Sequence, residues 1–174
     1  MLGDVGSRDA IEVAVLADTH LPDSRTLPEH LWERLASADV ILHAGDVTGG
    51  RLLDDLATVA PLHAVLGNND RGLERRLPDR LEVELAGVSV AMVHDSGARV
   101  GRERRMRRWF PDADIVVFGH SHDPVDDEGV DGQRLFNPGS PIQRRRQPVH
   151  TMGWLTLADG RVVAHHILPL PPPA

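Results

Sequence analysis

Five apolar runs in this 174-residue chain each end in a short polar group built from Asp, Asn and His. IEVAVLA leads to Asp18 and His20, VILHAG to Asp46, LHAVLG to Asn68, VSVAMV to His94, and IVVFG to His120 and His122. Runs of this length and composition read as buried strands, so the polar groups stand at strand ends. Parallel strands bring their C-terminal ends to one edge of a sheet, where open α/β folds bind ligands. The pattern therefore constrains the chain to a fold that gathers one site from five distant segments. Two carboxylates, one amide and four imidazoles suffice for two divalent ions.

The elements between these runs fit that frame. Strands are expected at 11–18, 39–46 and 61–68. Helices at 27–36, with Pro28 in the first turn, and at 49–60 separate them. This β-α-β-α-β order argues for a parallel sheet. The second half reads differently. LEVELAGVSVAMVHD is a hairpin broken at Ala86-Gly87, and GARVGRERRMRRWF is a helix. ADIVVFGHSH is a buried strand and RLFNPGS a short one ended by a turn. MGWLTLADGRVVAHHIL is a hairpin turning at Asp159-Gly160. Residues 1–10 are expected to be flexible, 11–169 to form one domain, and 170–174 to be a flexible Pro-rich tail, since PLPPPA lacks the donors for regular pairing. The expected class is an α/β sandwich of two mixed sheets with helices outside.

Composition narrows the chemistry. There is no cysteine, which removes disulfides, thiolate metal sites and cysteine nucleophiles. The start lacks the basic and apolar regions of a secretory signal, and no apolar run reaches the roughly 20 residues of a spanning helix. A cytoplasmic location is expected and no membrane partner. The net charge of −7 and the 3% aromatic content argue against a nucleic-acid binder, which needs a basic face and rings for base stacking. All cationic side chains are arginine. Arg102, Arg104, Arg105, Arg107 and Arg108 are expected on a solvated helix face; Arg144, Arg145 and Arg146 follow the LFNPGS turn, and approach of one of them to the phosphate is the lesser alternative for that run.

The ligand types suit Mn²⁺, Fe²⁺, Ni²⁺ or Zn²⁺, which accept nitrogen and oxygen together. On a strand, Asp18 and His20 at i and i+2 share a face and reach one ion; His120 and His122 share that spacing and either do the same or split between two ions. Asp46 is the natural bridging ligand. Two ions about 3.5–4 Å apart would polarise a bridging water and clamp the attacking and leaving oxygens of an in-line displacement. Two divalent cations, less Asp18, Asp46 and a hydroxide, leave about one positive charge, which favours a phosphate ester. His43 points to the other sheet face by parity and is expected to be structural. Asp95 is expected in a turn, Asp126, Asp127 and Glu128 in a solvated loop, and His165 and His166 on the surface or in packing.

The ordered set D-x-H, G-D, G-N, H and G-H-x-H resembles the calcineurin-like metallophosphoesterases, and most the small single-domain YfcE-type phosphodiesterases. The resemblance covers nearly the whole chain and includes LFNPGS at 135–140. It implies a four-layer α/β/β/α sandwich. It implies that Asp18, His20, Asp46 and His122 hold one ion and that Asp46, Asn68, His94 and His120 hold the other. Mn²⁺ is the first choice of metal, and Asn68 and His94 contact phosphate. It also implies hydrolysis of a small phosphate ester, most readily a diester, by direct attack of metal-bound hydroxide. Asp46, Asn69 and Asp70 are the candidate catalytic residues. Two positions depart from the family pattern. Asn69 stands where many larger members carry a leaving-group histidine, with Asp70 matching that histidine's acidic partner, and Asp95 stands where glycine is usual. The first departure predicts a preference for good leaving groups. Related small enzymes often self-associate, so a homo-oligomer is one option and the oligomeric state is left open. The competing expectations are a non-catalytic scaffold resembling the retromer subunit of this fold, and a nuclease, for whose DNA-positioning segments the chain has no spare length.

Overall fold

The computed structural model describes residues 10–172. Residues 1–9 and 173–174, with most of the expected flexible start and part of the expected tail, lie outside the described residues.

Two five-stranded sheets face each other. The first contains β1 (Ile11–Leu16), β2 (Val40–His43), β3 (Leu62–Ala64), β9 (His150–Ala158) and β10 (Arg161–Leu170), in the order β10-β9-β1-β2-β3. The second contains β4 (Arg80–Leu85), β5 (Val88–Val93), β6 (Ile115–Val117), β7 (Val125–Glu128) and β8 (Arg134–Asn137), in the order β4-β5-β6-β8-β7. Strands β1, β2 and β3 are parallel, as are β5, β6 and β8; antiparallel strands complete each sheet. The two parallel triplets put all five polar groups at C-terminal strand edges.

Residue parity builds the layers. Val13 and Val15 of β1 face the core between the sheets with Leu42, Met92, Val117, Phe136 and Leu155. Their neighbours Ala14 and Leu16 face outward, under helices α1 (Glu29–Leu35) and α2 (Gly50–Val59). In the second sheet Ala91 and Val116 face outward beneath Met106 and Phe110, at helix α3 (Arg102–Trp109) and its C-terminal cap. Both faces of the central strands are dry, which explains their unbroken apolar runs. The result is the expected four-layer α/β/β/α sandwich. No helix among the described residues is long and apolar enough to cross a membrane.

The structure corrects four local expectations. First, the ligand-bearing strands stop early. β1 ends at Leu16 and β2 at His43, so Asp18, His20 and Asp46 lie on loops beyond them. Second, helix α3 starts at Arg102, because Gly97 and Gly101 adopt φ of 74° and 73° and break the backbone before it. Third, residues 125–128 form edge strand β7 rather than a solvated loop. Val125 packs on the outer core, and the charged side chains sit where an edge tolerates them. Fourth, β10 reaches Leu170, which pairs with His150 and is buried. Pro169 is tolerated because β10 is an edge strand.

Candidate metal centre

Asp18, His20, Asp46, His120 and His122 all adopt left-handed backbone, with φ between 46° and 69°. The i, i+2 strand geometry expected for Asp18–His20 and His120–His122 is therefore not what aims them; tight loops do. Left-handed backbone at a non-glycine residue costs about 1–3 kcal/mol and persists only where its surroundings hold it. Here the holding bonds are visible. Asp18 N–H donates to Gly45 O at 3.0 Å and His20 N–H to Asp46 O at 2.9 Å, lacing the β1 and β2 loops together. Ser140 Oγ donates to Asp18 O at 2.8 Å, and His120 N–H donates to Asp18 Oδ1 at 3.2 Å.

The seven candidate residues converge as two groups. His20 Nε2 and His122 Nε2 are 3.2 Å apart. Asp18 Oδ1 lies 3.5 Å from His122 Nε2, and Asp46 Oδ2 lies 3.6 Å from His20 Nε2. On the other side Asn68 Oδ1 is 3.0 Å from His94 Nε2 and 2.9 Å from His120 Nδ1, and Asp46 Oδ2 is 3.4 Å from His94 Nε2. Asp46 Oδ2 is thus common to both groups. Ligand atoms of Asp18, His20 and His122, and those of Asp18, Asp46 and His94, lie close enough together to hold an ion.

Outer contacts orient the imidazoles. His94 Nδ1–H donates to Ala44 O at 2.7 Å, and His122 Nδ1–H donates to Gln143 O. In the neutral ring each Nε2 is then a lone pair aimed inward, the tautomer a metal-ligating histidine needs. Inward lone pairs facing carboxylate and amide oxygens repel one another unless a cation lies between them. Asp18 Oδ2 is buried with no hydrogen-bond partner, and a bound cation would satisfy it. The donor set fits divalent metal on these observations.

Burial sets the titration of these groups. Removal from water pushes the Asp18 carboxyl up to about 7. It lowers His20 and His122. Burial raises Asp46, but it stays well below the usual carboxylate range, because Asn69 donates to it from its backbone N–H and Nδ2 and, in this metal-free form, protonated His94 donates from Nε2. His94 is raised: burial opposes its charged form, and Asp46 together with the Ala44 carbonyl outweighs that.

Asn69 and Asp70, expected as catalytic groups, turn to Asp46 and its loop. Asn69 donates to Asp46 from its backbone N–H at 2.8 Å and from Nδ2 at 2.7 Å. Asp70 accepts the backbone N–H groups of Asp46, Thr48 and Gly67. In this geometry both tie down the Asp46 loop. Gly67 is required by the same packing, since a Cβ there would stand 2.1 Å from Asp46 N.

Residues beyond the seven were partly foreseen. His43 is fully buried, accepts the Gly45 N–H at Nδ1 and bonds Thr19 Oγ1 through Nε2, with its pKa lowered by burial to about 3. Asp95 accepts the Gly97 N–H in a turn. The arginine face is not wholly solvated: Arg105 binds the carbonyls of Ser96 and Ala98, and Arg107 those of Pro111, Val130 and Asp131. These contacts were not legible, because carbonyl partners carry no sequence signal. His165 takes the packing alternative; its Nδ1 lies 2.6 Å from Asp126, which also pairs with Arg134 and so ties the two sheets together.

A family model of the calcineurin-like phosphoesterase superfamily domain matches residues 11–160. The chain belongs to the calcineurin-like phosphoesterase superfamily. Within that superfamily it is 33% identical over 136 residues to a probable metallophosphoesterase of Methanothermobacter thermautotrophicus, covering 76% of this chain and 78% of the relative. Its fold superposes on wild-type Vps29 complexed with Zn²⁺ from Entamoeba histolytica with a TM-score of 0.68 and 25% identity, over 91% of this chain and 99% of that one. An archaeal phosphodiesterase gives a TM-score of 0.64 at 20% identity, over 91% and 100%.

Proposed function

We propose that this protein is a binuclear metal-dependent phosphodiesterase acting on a small phosphate ester. One observation carries the reading: two inward-facing groups of nitrogen and oxygen lone pairs share Asp46 Oδ2. Asp18, His20, Asp46 and His122 would hold one divalent ion, and Asp46, Asn68, His94 and His120 the other. Mn²⁺ is the first candidate, with Ni²⁺, Fe²⁺ and Zn²⁺ open to the same ligands; the Vps29 structure with Zn²⁺ shows that a related fold takes a divalent ion. When bound, such ions supply Lewis-acid charge and lower the pKa of a bound water.

The chain's own residues do the rest. The strained loops at 18–20, 46 and 120–122 preorganise the donors, so no reorganisation is needed as charge develops. Asn68 and His94 border the space where a phosphoryl oxygen would sit. Asn69, whose amide N–H already donates to Asp46, offers no acid for the departing oxygen. The proposal therefore includes faster turnover of aryl than of alkyl esters, and a leaving-group series with a flat rate profile would refute that part.

The test is hydrolysis of bis-p-nitrophenyl phosphate and p-nitrophenyl phosphate by metal-stripped protein, with Mn²⁺, Ni²⁺, Zn²⁺ and Mg²⁺ restored singly and Asp46→Asn as control. Metal-dependent turnover that favours the diester and disappears in the variant is the expected result. Two retained ions without turnover would overturn it in favour of a scaffold like the Vps29 neighbour, to be followed by a partner pull-down.

A further inference from the structure

The loop from Ser140 to Gln147 is fastened to the metal centre at two points. Ser140 Oγ donates to Asp18 O, and Gln143 O accepts from His122 Nδ1. Ser140 Oγ also accepts the backbone N–H of Gln143 at 2.8 Å, which fixes the intervening turn. Arg145 follows two residues after Gln143, so their Cα atoms are at most about 7 Å apart. From that point a long arginine side chain has the length to meet the site edge, where Gln143 O holds His122.

The three arginines in this loop differ. Arg144 is turned back onto its own loop, with Nη1 donating to Gln147 O, while Gln147 in turn donates to Asp123. All three are exposed, and Arg146 follows ordinary backbone. Arg145 alone of the three is held in left-handed backbone, with φ of 51°. Among the described residues its guanidinium forms no ion pair. Its charge nevertheless acts on Asp18, His20 and His122, favouring the carboxylate at the first and opposing imidazolium at the other two. Left-handed backbone at Asp18, His20, Asp46, His120 and His122 thus recurs at Arg145 of the loop fastened to them, as it does at Thr48, Ala86, Asp131 and Asp159.

We propose that Arg145 is a phosphate-binding residue, whose guanidinium engages non-bridging oxygens of the phosphoryl group bound at the Asp18–Asp46–His122 edge. The inference rests on the phosphoesterase reading above and adds its anion-recognition group. A planar guanidinium fork matches two phosphate oxygens at once, and a fixed positive charge gains strength as the phosphoryl group becomes more negative. Placement on a loop anchored to two site residues supplies the preorganisation this needs.

The test compares wild type with Arg145→Gln, Arg145→Lys and Arg146→Gln, all loaded with Mn²⁺. Inorganic phosphate binding is measured by calorimetry, and kcat and KM with bis-p-nitrophenyl phosphate. Metal content and thermal stability confirm that each variant is folded and loaded. Arg145→Gln should weaken phosphate binding and lower kcat/KM by at least about tenfold, the loss of a charge-assisted bond. Arg145→Lys should recover part of the binding, because a point charge replaces the fork; Arg146→Gln should match wild type. Turnover in wild type with unchanged phosphate binding and kcat/KM in Arg145→Gln would overturn the role of Arg145 and leave the phosphoesterase intact. No turnover in wild type would overturn the phosphoesterase reading, and the calorimetry would still decide Arg145; absence of phosphate binding in wild type together with unchanged kcat/KM in Arg145→Gln would overturn the role of Arg145 alone.

Discussion

Replacing Asp70 by asparagine separates positioning from chemistry at this site. Asp70 is 2% exposed and accepts three backbone N–H groups: Gly67 and Thr48 at 2.7 Å and Asp46 at 2.9 Å. The bonds from Gly67 and Asp46 share Oδ2, and the bond from Thr48 ends on Oδ1. Bonds to a charged acceptor contribute about 1.5–3 kcal/mol each and neutral ones about 0.5–1.5 kcal/mol. Asn keeps one oxygen. If that oxygen faces Gly67 and Asp46, its NH₂ confronts the Thr48 N–H. One charged bond is then lost and two fall to neutral strength, a total of roughly 3–5 kcal/mol. Near 2–4 °C per kcal/mol for a domain of this size, the midpoint of thermal unfolding should fall on the order of 10 °C. The assay is thermal and urea unfolding of metal-free protein, so that metal binding plays no part, with Asp95→Asn at the exposed turn as control. A fall of less than about 2 °C, set against that scale, would refute the claim that Asp70 holds the Asp46 loop in its strained form.

Three further outcomes follow from the geometry. Buried His43 has its pKa lowered to about 3 from an ordinary 6.5, so its contribution to stability is complete above pH 6.5 and is lost as pH falls toward 3. Urea unfolding from pH 7 to 4 should show wild type losing stability relative to His43→Gln by about 1.4 kcal/mol per pH unit below 6.5; parallel curves would remove this role. Gly67→Ala would place a Cβ 2.3 Å from Asp46 Oδ1, so the variant should retain less metal after gel filtration, and undiminished metal content would contradict the packing. Excess Mn²⁺ should raise the unfolding midpoint of stripped protein, about 2.7 kcal/mol of stabilisation at a hundred times Kd. An unchanged midpoint would argue against a metal centre.

Much of this was legible from residues alone. The apolar runs of β1, β2, β5 and β6 are dry on both faces, and burial of that kind writes itself directly into composition. Polar groups closing those runs marked Asp18, Asp46, Asn68, His94 and His120, because a carboxylate or imidazole at the end of a buried strand needs a reason to be there. Strand β7 was not legible: an edge strand needs little apolar surface, so VDDE looks like a turn. Nor were the bonds that Asn69 and Asp70 make to Asp46 and its loop, since backbone N–H groups carry no sequence signature.

The sequence by itself determined the two-sheet sandwich and the set of donors, since strand burial and ligand chemistry depend on residue type and order. Tertiary structure alone decided how the donors are aimed. Strands β1 and β2 stop short, and the chain turns through left-handed backbone at five of the seven donor residues. That conformation is unfavourable for each residue in isolation. It is held here by bonds between loops far apart in sequence, such as Ser140 to Asp18 and Asp70 to Asp46, and only the folded chain brings those partners together.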